Sequence, residues 1–483
     1  MMLNGAGSTV CAISMMPRAS RNFWSLWRRK WIRKQRTTSP STLTAVGANL
    51  SPSKPCHPDS MISSGVRSTD LSMAHAREAA ETGPVARKII QALPFLVLIW
   101  LLVSVVGPWK DLYKTVFHAL VIPATLVTWR YAIGLRVLRD PFIRVVGVFC
   151  IYVGISTFLV GPGSLANDLK ILRWGVESFF SVIALWICVE CLRDAPALWG
   201  RLFLGACVVG AGLGFLFWDG GRVEGLGALS HPIQGTSILL AYLAMGCFLL
   251  TQSVPRWRWE DCLLIFLGCS SVASFAFLSQ SRGPILAFCI YFFVLLPFAT
   301  GRNLKLTVSL LVLVLILSGA VIEWHEGLDS FLNGLIERGD SKRLEIWKGY
   351  LLFPPDSLFL GYGAGTEPEQ MHAAAEFWRP NNYIVTHAHN LWLGTYAETG
   401  IIGVLFLVAI FGMLTWVAVT RAREWGEIAG LLGIIGLVLM LTFTDEHTLV
   451  LSMKPIWLFA WLPMVLVWQW TREPISRDIH ERH

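Results

Sequence analysis

Charge is scarce in this chain: Asp, Glu, Lys and Arg together make up 15% of its 483 residues. Among those few there is no glycine-rich nucleotide loop ending in Lys-Ser/Thr, no H-E-x-x-H pair and no acidic cluster of the kind that holds two metals. Coupling to ATP and obligatory metal catalysis are therefore unsupported, and no cofactor is expected. The ten cysteines show no zinc-like spacing. Cys188 and Cys191 form a C-x-x-C pair inside an apolar stretch, where they read as small core residues. No cysteine occurs between 323 and 389, so no disulfide staples that stretch.

Apolar length is what the chain does have. Hydrophobic residues reach 54%, and mean hydropathy is +0.55. About 20 apolar residues cross a hydrocarbon core of roughly 30 Å. Runs of that kind are read at 89–107, 111–129, 142–160, 170–192, 199–218, 233–253, 262–280, 284–300, 304–323, 391–420, 427–444 and 448–470. The expected fold is all-α: a polytopic integral membrane protein of about twelve transmembrane helices. Nine fall within 86–322 and three within 390–472, with one large loop, 323–389, between the ninth and tenth. A loop of that length is too long for a connector and is expected to be functional.

Positive charge in short loops sets orientation. Arg28, Arg29, Lys30, Arg33, Lys34, Arg36, Arg87 and Lys88 precede the first helix, and Arg130, Arg136, Arg139 and Arg144 follow the second. Arg193 with Arg201, Arg256 with Arg258, Arg302 with Lys305, Arg421 with Arg423, and Arg472 with Arg477 recur on the same side if helices alternate. Both termini are then cytoplasmic, including the short tail 473–483, and 323–389 is periplasmic. The first 85 residues differ in kind, rich in Ser, Arg, Thr and Pro without apolar periodicity, and are expected to be a disordered basic tail. Their Arg21–Arg36 stretch, with Trp24, Trp27 and Trp31, could also lie on an anionic leaflet. Initiation at Met61 or Met73 is a third reading. No compact apolar stretch and cleavage site follow the tail's charges, so a cleavable signal is not expected.

Three polar signatures sit at the outer ends of these helices. Gly221-Arg222 leaves the fifth, Ser281-Arg282-Gly283 joins the seventh to the eighth, and His387-Ala388-His389-Asn390 precedes the tenth. Glycine lets backbone approach a ligand, and an Arg fork matches phosphate oxygens. Arg222 could equally pair with Glu224. Arg282 meets an apolar run, where a lipid-facing charge costs several kcal/mol, so it either snorkels outward or meets an anion. Asn390 is placed to cap the tenth helix, leaving His389 at its positive end. That field favours the neutral imidazole that a general base requires; the plainer reading is a histidine that only bonds backbone. Two guanidiniums and an imidazole at one membrane face suit a lipid-linked, phosphate-bearing substrate.

Taken in order, these motifs and their neighbours resemble the O-antigen ligase and polymerase superfamily. They are Gly221-Arg222-Val223-Glu224-Gly225, Ser281-Arg282-Gly283, Arg338 and Arg343 with Trp347, Gly361-Tyr362-Gly363-Ala364-Gly365, and His389-Asn390-Leu391-Trp392-Leu393 with Glu398-Thr399-Gly400. The similarity covers about 170 to 420. One departure is His231-Pro232, where the family often has Asn-Pro.

The resemblance implies a glycosyltransferase of the bacterial inner membrane, most like a ligase. It would move a glycan from undecaprenyl diphosphate to lipid A–core at the periplasmic leaflet, without metal or nucleotide and with inversion. Arg222 and Arg282 would hold the departing diphosphate and His389 would take the acceptor's proton. His387, Asn390, Arg338, Arg343 and Glu398 would support them, with Glu398 next in line as base. Activity is then expected to fall below about pH 6–6.5 as an ordinary imidazole protonates. The partners implied are the lipid-linked glycan, the lipid A–core acceptor and membrane lipids, with no nucleic acid. An O-antigen polymerase or protein O-oligosaccharyltransferase would use the same residues with a different acceptor. A transporter is the rival from another class, and no internal inverted repeat supports it.

Overall fold

The computed structural model describes residues 84–133, 136–160, 164–219, 221–253, 258–295, 316, 319, 323 and 342–472. The chain divides into two units, Met1–Arg87 and Lys88–His483. Only 84–87 of the first are described, so the expectations for the N-terminal tail lie outside the described residues, as do those for 473–483.

Among the described residues the chain is helical throughout, with no strand. Nine helices are long and apolar enough to cross a membrane: α1 (Pro84–Val106), α2 (Leu112–Tyr131), α3 (Pro141–Val160), α4 (Leu165–Asp194), α5 (Pro196–Leu216), α6 (Pro232–Ser253), α7 (Trp259–Leu278), α10 (Leu391–Arg421) and α11 (Trp425–Asp445). Two shorter apolar helices, α8 (Arg282–Leu295) and α12 (Trp457–Trp470), match two more of the expected runs. The run at 304–323 lies outside the described residues except at three positions. Helix α9 (Arg343–Leu352) belongs to the loop.

Local chemistry explains the starts. Ser164 accepts the Asn167 N–H at 3.1 Å and caps α4. Pro196 and Pro232 open α5 and α6, where a missing N–H costs nothing. Helix α6 is the hub: Ile238 through Met245 are at most 1% exposed, with α5, α7 and α11 packed around it.

The ends of the helices sort into two faces. On one, Gly227 packs on the carbonyls of Val103, Ser104 and Gly107, Val223 donates to Leu278 O at 3.2 Å, and Arg343 reaches Asp445. On the other, Arg201 holds Asp261 with two bonds of 2.7 and 3.1 Å. There too, the fully buried Asp140 carboxylate accepts from Phe142 N (2.9 Å), Ile143 N (3.3 Å), Trp186 Nε1 (3.2 Å), Trp468 Nε1 (3.0 Å) and Arg472.

Residues 342–390 fold into a cap on the first face. Ile346, Tyr350, Met371, Trp378 and Val385 close a small core of their own, with Ala397 from α10. The glycine-rich turn is what seats it. Gly361 and Gly400 both take positive φ (74° and 65°), and backbone bonds run from Tyr362 N to Ala397 O (2.8 Å) and from Ile401 N to Leu358 O (2.9 Å). A methyl group on Gly400 would collide with the Phe359 carbonyl. Gly400→Ala is therefore expected to loosen the cap by about 2 kcal/mol or more, from strained φ and lost packing together. Faster limited proteolysis within 354–386, with unchanged insertion of the protein, is the measurement.

Candidate functional site

The three sequence signatures meet on the face that carries the cap. Arg222 donates from Nε to Ser279 O at 2.8 Å and from Nη2 to Ser281 Oγ at 3.4 Å, so it lies against the turn that presents Arg282. Arg282 opens α8, and Gly283 beside it packs so closely on Thr444 and Asp445 that no larger residue fits. Asp445 in turn binds Arg343 Nη2 at 2.7 Å, with its side chain 6% exposed. Arg343 thereby stands where its charge is felt by both His387 and His389.

The histidines form a stack. Ring centroids of His387 and His389 are 3.7 Å apart, and His447 lies 5.0 Å from His387 at an interplanar angle of 27°. Trp347 fixes this strand of chain by donating to Ala388 O at 2.9 Å. Asn390 caps α10, its Oδ1 accepting Trp392 N (2.9 Å) and Leu393 N (3.1 Å). The His389 N–H donates to His387 Nδ1 at 3.3 Å. In a neutral His387 the remaining nitrogen must then carry the proton, so neither is a vacant acceptor. Among the described residues no hydrogen bond engages the His389 ring.

Electrostatics keep the stack neutral. Burial, then His387 and Arg343, hold His389 down at about 3. Burial, with His387 and Lys454, holds His447 at about 3 as well. His387 is lowered by the same kinds of cause. Glu446 is moved the other way, to about 8, by burial first and by Asp445 second, so it is a protonated acid at neutral pH. Asp445 is paired with Arg343, and Arg222, Arg282 and Lys454 add positive charge on this face. Such a site attracts a multiply charged anion.

Four non-glycine residues take positive φ among those described: Gln280 (53°), Lys342 (62°), Asn382 (56°) and His389 (49°). Three of them are either a site residue or lie within two positions of one. Strain kept at such positions is a mark of functional geometry.

Among the expected supporting residues, Arg338 lies outside the described residues, and Glu398 stands apart from the histidines. Glu398 is eight positions past Asn390, about 12 Å along α10, where its Oε2 accepts the Gly365 N–H at 3.3 Å. There it fastens the glycine-rich turn to α10. Sequence reasoning passed over Asp445, Glu446, His447 and Lys454, although three consecutive titratable residues between apolar runs are a usable signal. His231, marked in the sequence by its departure from Asn-Pro, has its imidazole pKa lowered by burial and by Arg222.

Residues 267–408 match the family described as O-Antigen ligase, a span that includes Arg282, Arg343 and the His387–Asn390 segment. The chain is also 25% identical over 380 residues to the O-antigen ligase of Pseudomonas aeruginosa PAO1, covering 75% of this chain and 86% of that protein.

Proposed function

We propose, for a chain that belongs to the O-antigen ligase superfamily, that it transfers a glycan from a polyprenyl diphosphate to lipid A–core on the periplasmic face of the inner membrane. The observation that carries this reading is the meeting of Arg222, the Arg282 turn and the histidine stack around the Arg343–Asp445 pair. Basic residues there suit the diphosphate, and a buried neutral imidazole suits proton removal.

In the proposed step the acceptor hydroxyl oxygen bonds to the anomeric carbon while the bond from that carbon to phosphate oxygen breaks. The electron pair leaves with the diphosphate, where guanidinium charge compensates it. The hydroxyl proton passes to His389. Attack opposite the leaving group inverts the carbon. The sugar–phosphate bond is already activated, so the reaction needs no nucleotide.

Purified protein supplied with lipid-linked glycan and lipid A–core tests the assignment. Glycan on lipid A–core is the expected product. Lengthened lipid-linked glycan would make the protein a polymerase, glycosylated protein an oligosaccharyltransferase, and intact donor moved across a bilayer a transporter. Orientation is tested apart from chemistry. In intact spheroplasts a cysteine at Asn381 should react with an impermeant thiol reagent above the native background, and one at Glu424 should not; the reverse pattern overturns the periplasmic placement.

A further inference from the structure

We propose that the groove between α2 and α4 is the seat of the acceptor lipid, holding its hydrocarbon against the apolar stripe and its phosphate at Lys170 and Arg173. This names the acceptor's binding place and so rests on the transfer reading above. Two cavities follow one another along these helices. One of about 500 Å³ is lined by His118, Leu169, Leu172, Arg173, Val176 and Glu177 near the site face. The next, about 420 Å³, continues with Ile122, Thr125, Leu126, Phe180, Ile183 and Ala184 among its walls. Positions 118, 122, 125 and 126 on α2 face 169, 172, 176, 180, 183 and 184 on α4. Each set advances by three or four residues at a time, with 125 and 126, and 183 and 184, side by side at its deep end, so each lies along one helix face. Each cavity falls within the roughly 300–1,000 Å³ common for bound small molecules.

The groove changes character along its length. The deeper cavity has only hydrocarbon, one hydroxyl and one indole on its walls, whereas the upper one ends in charge. Lys170 stacks over Trp174 at 4.8 Å, a pairing suited to the boundary between hydrocarbon and headgroups. Lys170 and Arg173 are exposed, and neither forms an ion pair among the described residues. On the proposed orientation both stand at the periplasmic face, where the sign rule disfavours Lys and Arg. A phosphate at the groove mouth accounts for their position.

The mouth is tied to the site. His118 sits in a π-helical turn, Phe117–Val121, a form of backbone frequent at functional positions. Its Nε2 bonds Glu177 Oε1 at 3.2 Å, and the same oxygen accepts Met453 N–H at 3.1 Å. Met453 adjoins Lys454, whose charge acts on both His387 and His447. A headgroup anchored at Arg173 therefore leads toward the histidine stack along the 446–456 segment. The donor's single diphosphate is already accounted for by Arg222 and Arg282. A second cationic rim above hydrocarbon fits a second phosphorylated lipid, and the reaction joins two substrates tethered in one leaflet.

The test uses the full-length protein in nanodiscs with a photo-crosslinking side chain in place of Val176, and lipid A–core as the probe. A covalent adduct of lipid A–core mass is expected. Excess phosphatidylglycerol should not displace it. Kinetics give the second measurement: Lys170→Gln with Arg173→Gln should raise the acceptor KM about tenfold, with kcat and donor KM unchanged. Leu126→Trp, which fills the groove from an exposed wall, should do the same. A rise in donor KM instead would assign the groove to the polyprenyl chain and overturn the proposal. So would adducts with phosphatidylglycerol as abundant as those with lipid A–core. Crosslinking needs no turnover, so an adduct without glycan transfer would refute the transfer reading alone. Transfer without an adduct would refute the groove alone.

Discussion

Replacing His389 by alanine is expected to abolish detectable transfer while leaving insertion and donor binding intact. A positioned base contributes about 10²–10⁴-fold, on the order of 3–5 kcal/mol of barrier. His387→Ala should be milder, because the His387 Nδ1 is occupied by the His389 N–H. The pH profile follows from the same geometry and departs from the sequence expectation of a fall below about pH 6–6.5. With His389 held near 3 in the free protein, the imidazole remains neutral throughout the mildly acidic range. The acid limb of kcat/KM, which reports the free protein, should therefore lie well below pH 6. A bound diphosphate adds negative charge beside the ring, which favours the protonated form and raises its pKa. The acid limb of kcat should accordingly appear at higher pH than that of kcat/KM, since the bound complex protonates first as pH falls. Coincident limbs, or full activity in His389→Ala, would remove His389 from the role.

The arginines should give the second large effect. Arg222→Ala with Arg282→Ala is expected to lower transfer by at least about a hundredfold, because preorganised cations at the leaving group contribute several kcal/mol. Single Arg→Lys changes keep the charge but lose the planar fork, so a marked loss is expected there too. For Arg222 the reason is concrete: Nε and Nη2 already divide between Ser279 O and Ser281 Oγ, a geometry no ammonium reproduces. Donor-dependent turnover measured on protein that still elutes as a folded species decides it. Near-normal rates in the double variant would refute the diphosphate assignment.

The helices and the site differ in how openly the sequence declares them. Runs such as 233–253 and 427–444 are legible because continuous apolar length is a strong local signal, and α6 and α11 start within two residues of them. Arg222, Arg282 and His389 stand out because each interrupts such a run at its end. The last run shows the limit. Apolar character from 448 suggests a helix, yet α12 begins at Trp457. The intervening backbone is satisfied from afar: Trp461 Nε1 donates to Leu449 O at 3.0 Å, Ser178 Oγ to Leu451 O at 3.1 Å, and Met453 N–H finds Glu177. Ser178 and Glu177, 273 and 276 positions from the groups they bind, leave no trace in local periodicity. That same irregular stretch carries His447 and Lys454, so the missed helix boundary and the missed site residues have one cause. Glu398 illustrates the converse: adjacent to a recognisable glycine motif, it serves the cap rather than the histidines.

Asp140 sets a direction on how the bundle yields. Its carboxylate is filled by donors from α3, α4, the end of α12 and Arg472, and Gln469 reinforces the knot by bonding Trp186 O at 2.9 Å. Separating these helices there would strip a buried anion of its donors, at a cost of several kcal/mol. The remote end of these three helices is therefore a pivot. Any parting of them wide enough to pass a lipid chain must be a splay that grows toward the opposite face, like fingers joined at the knuckle.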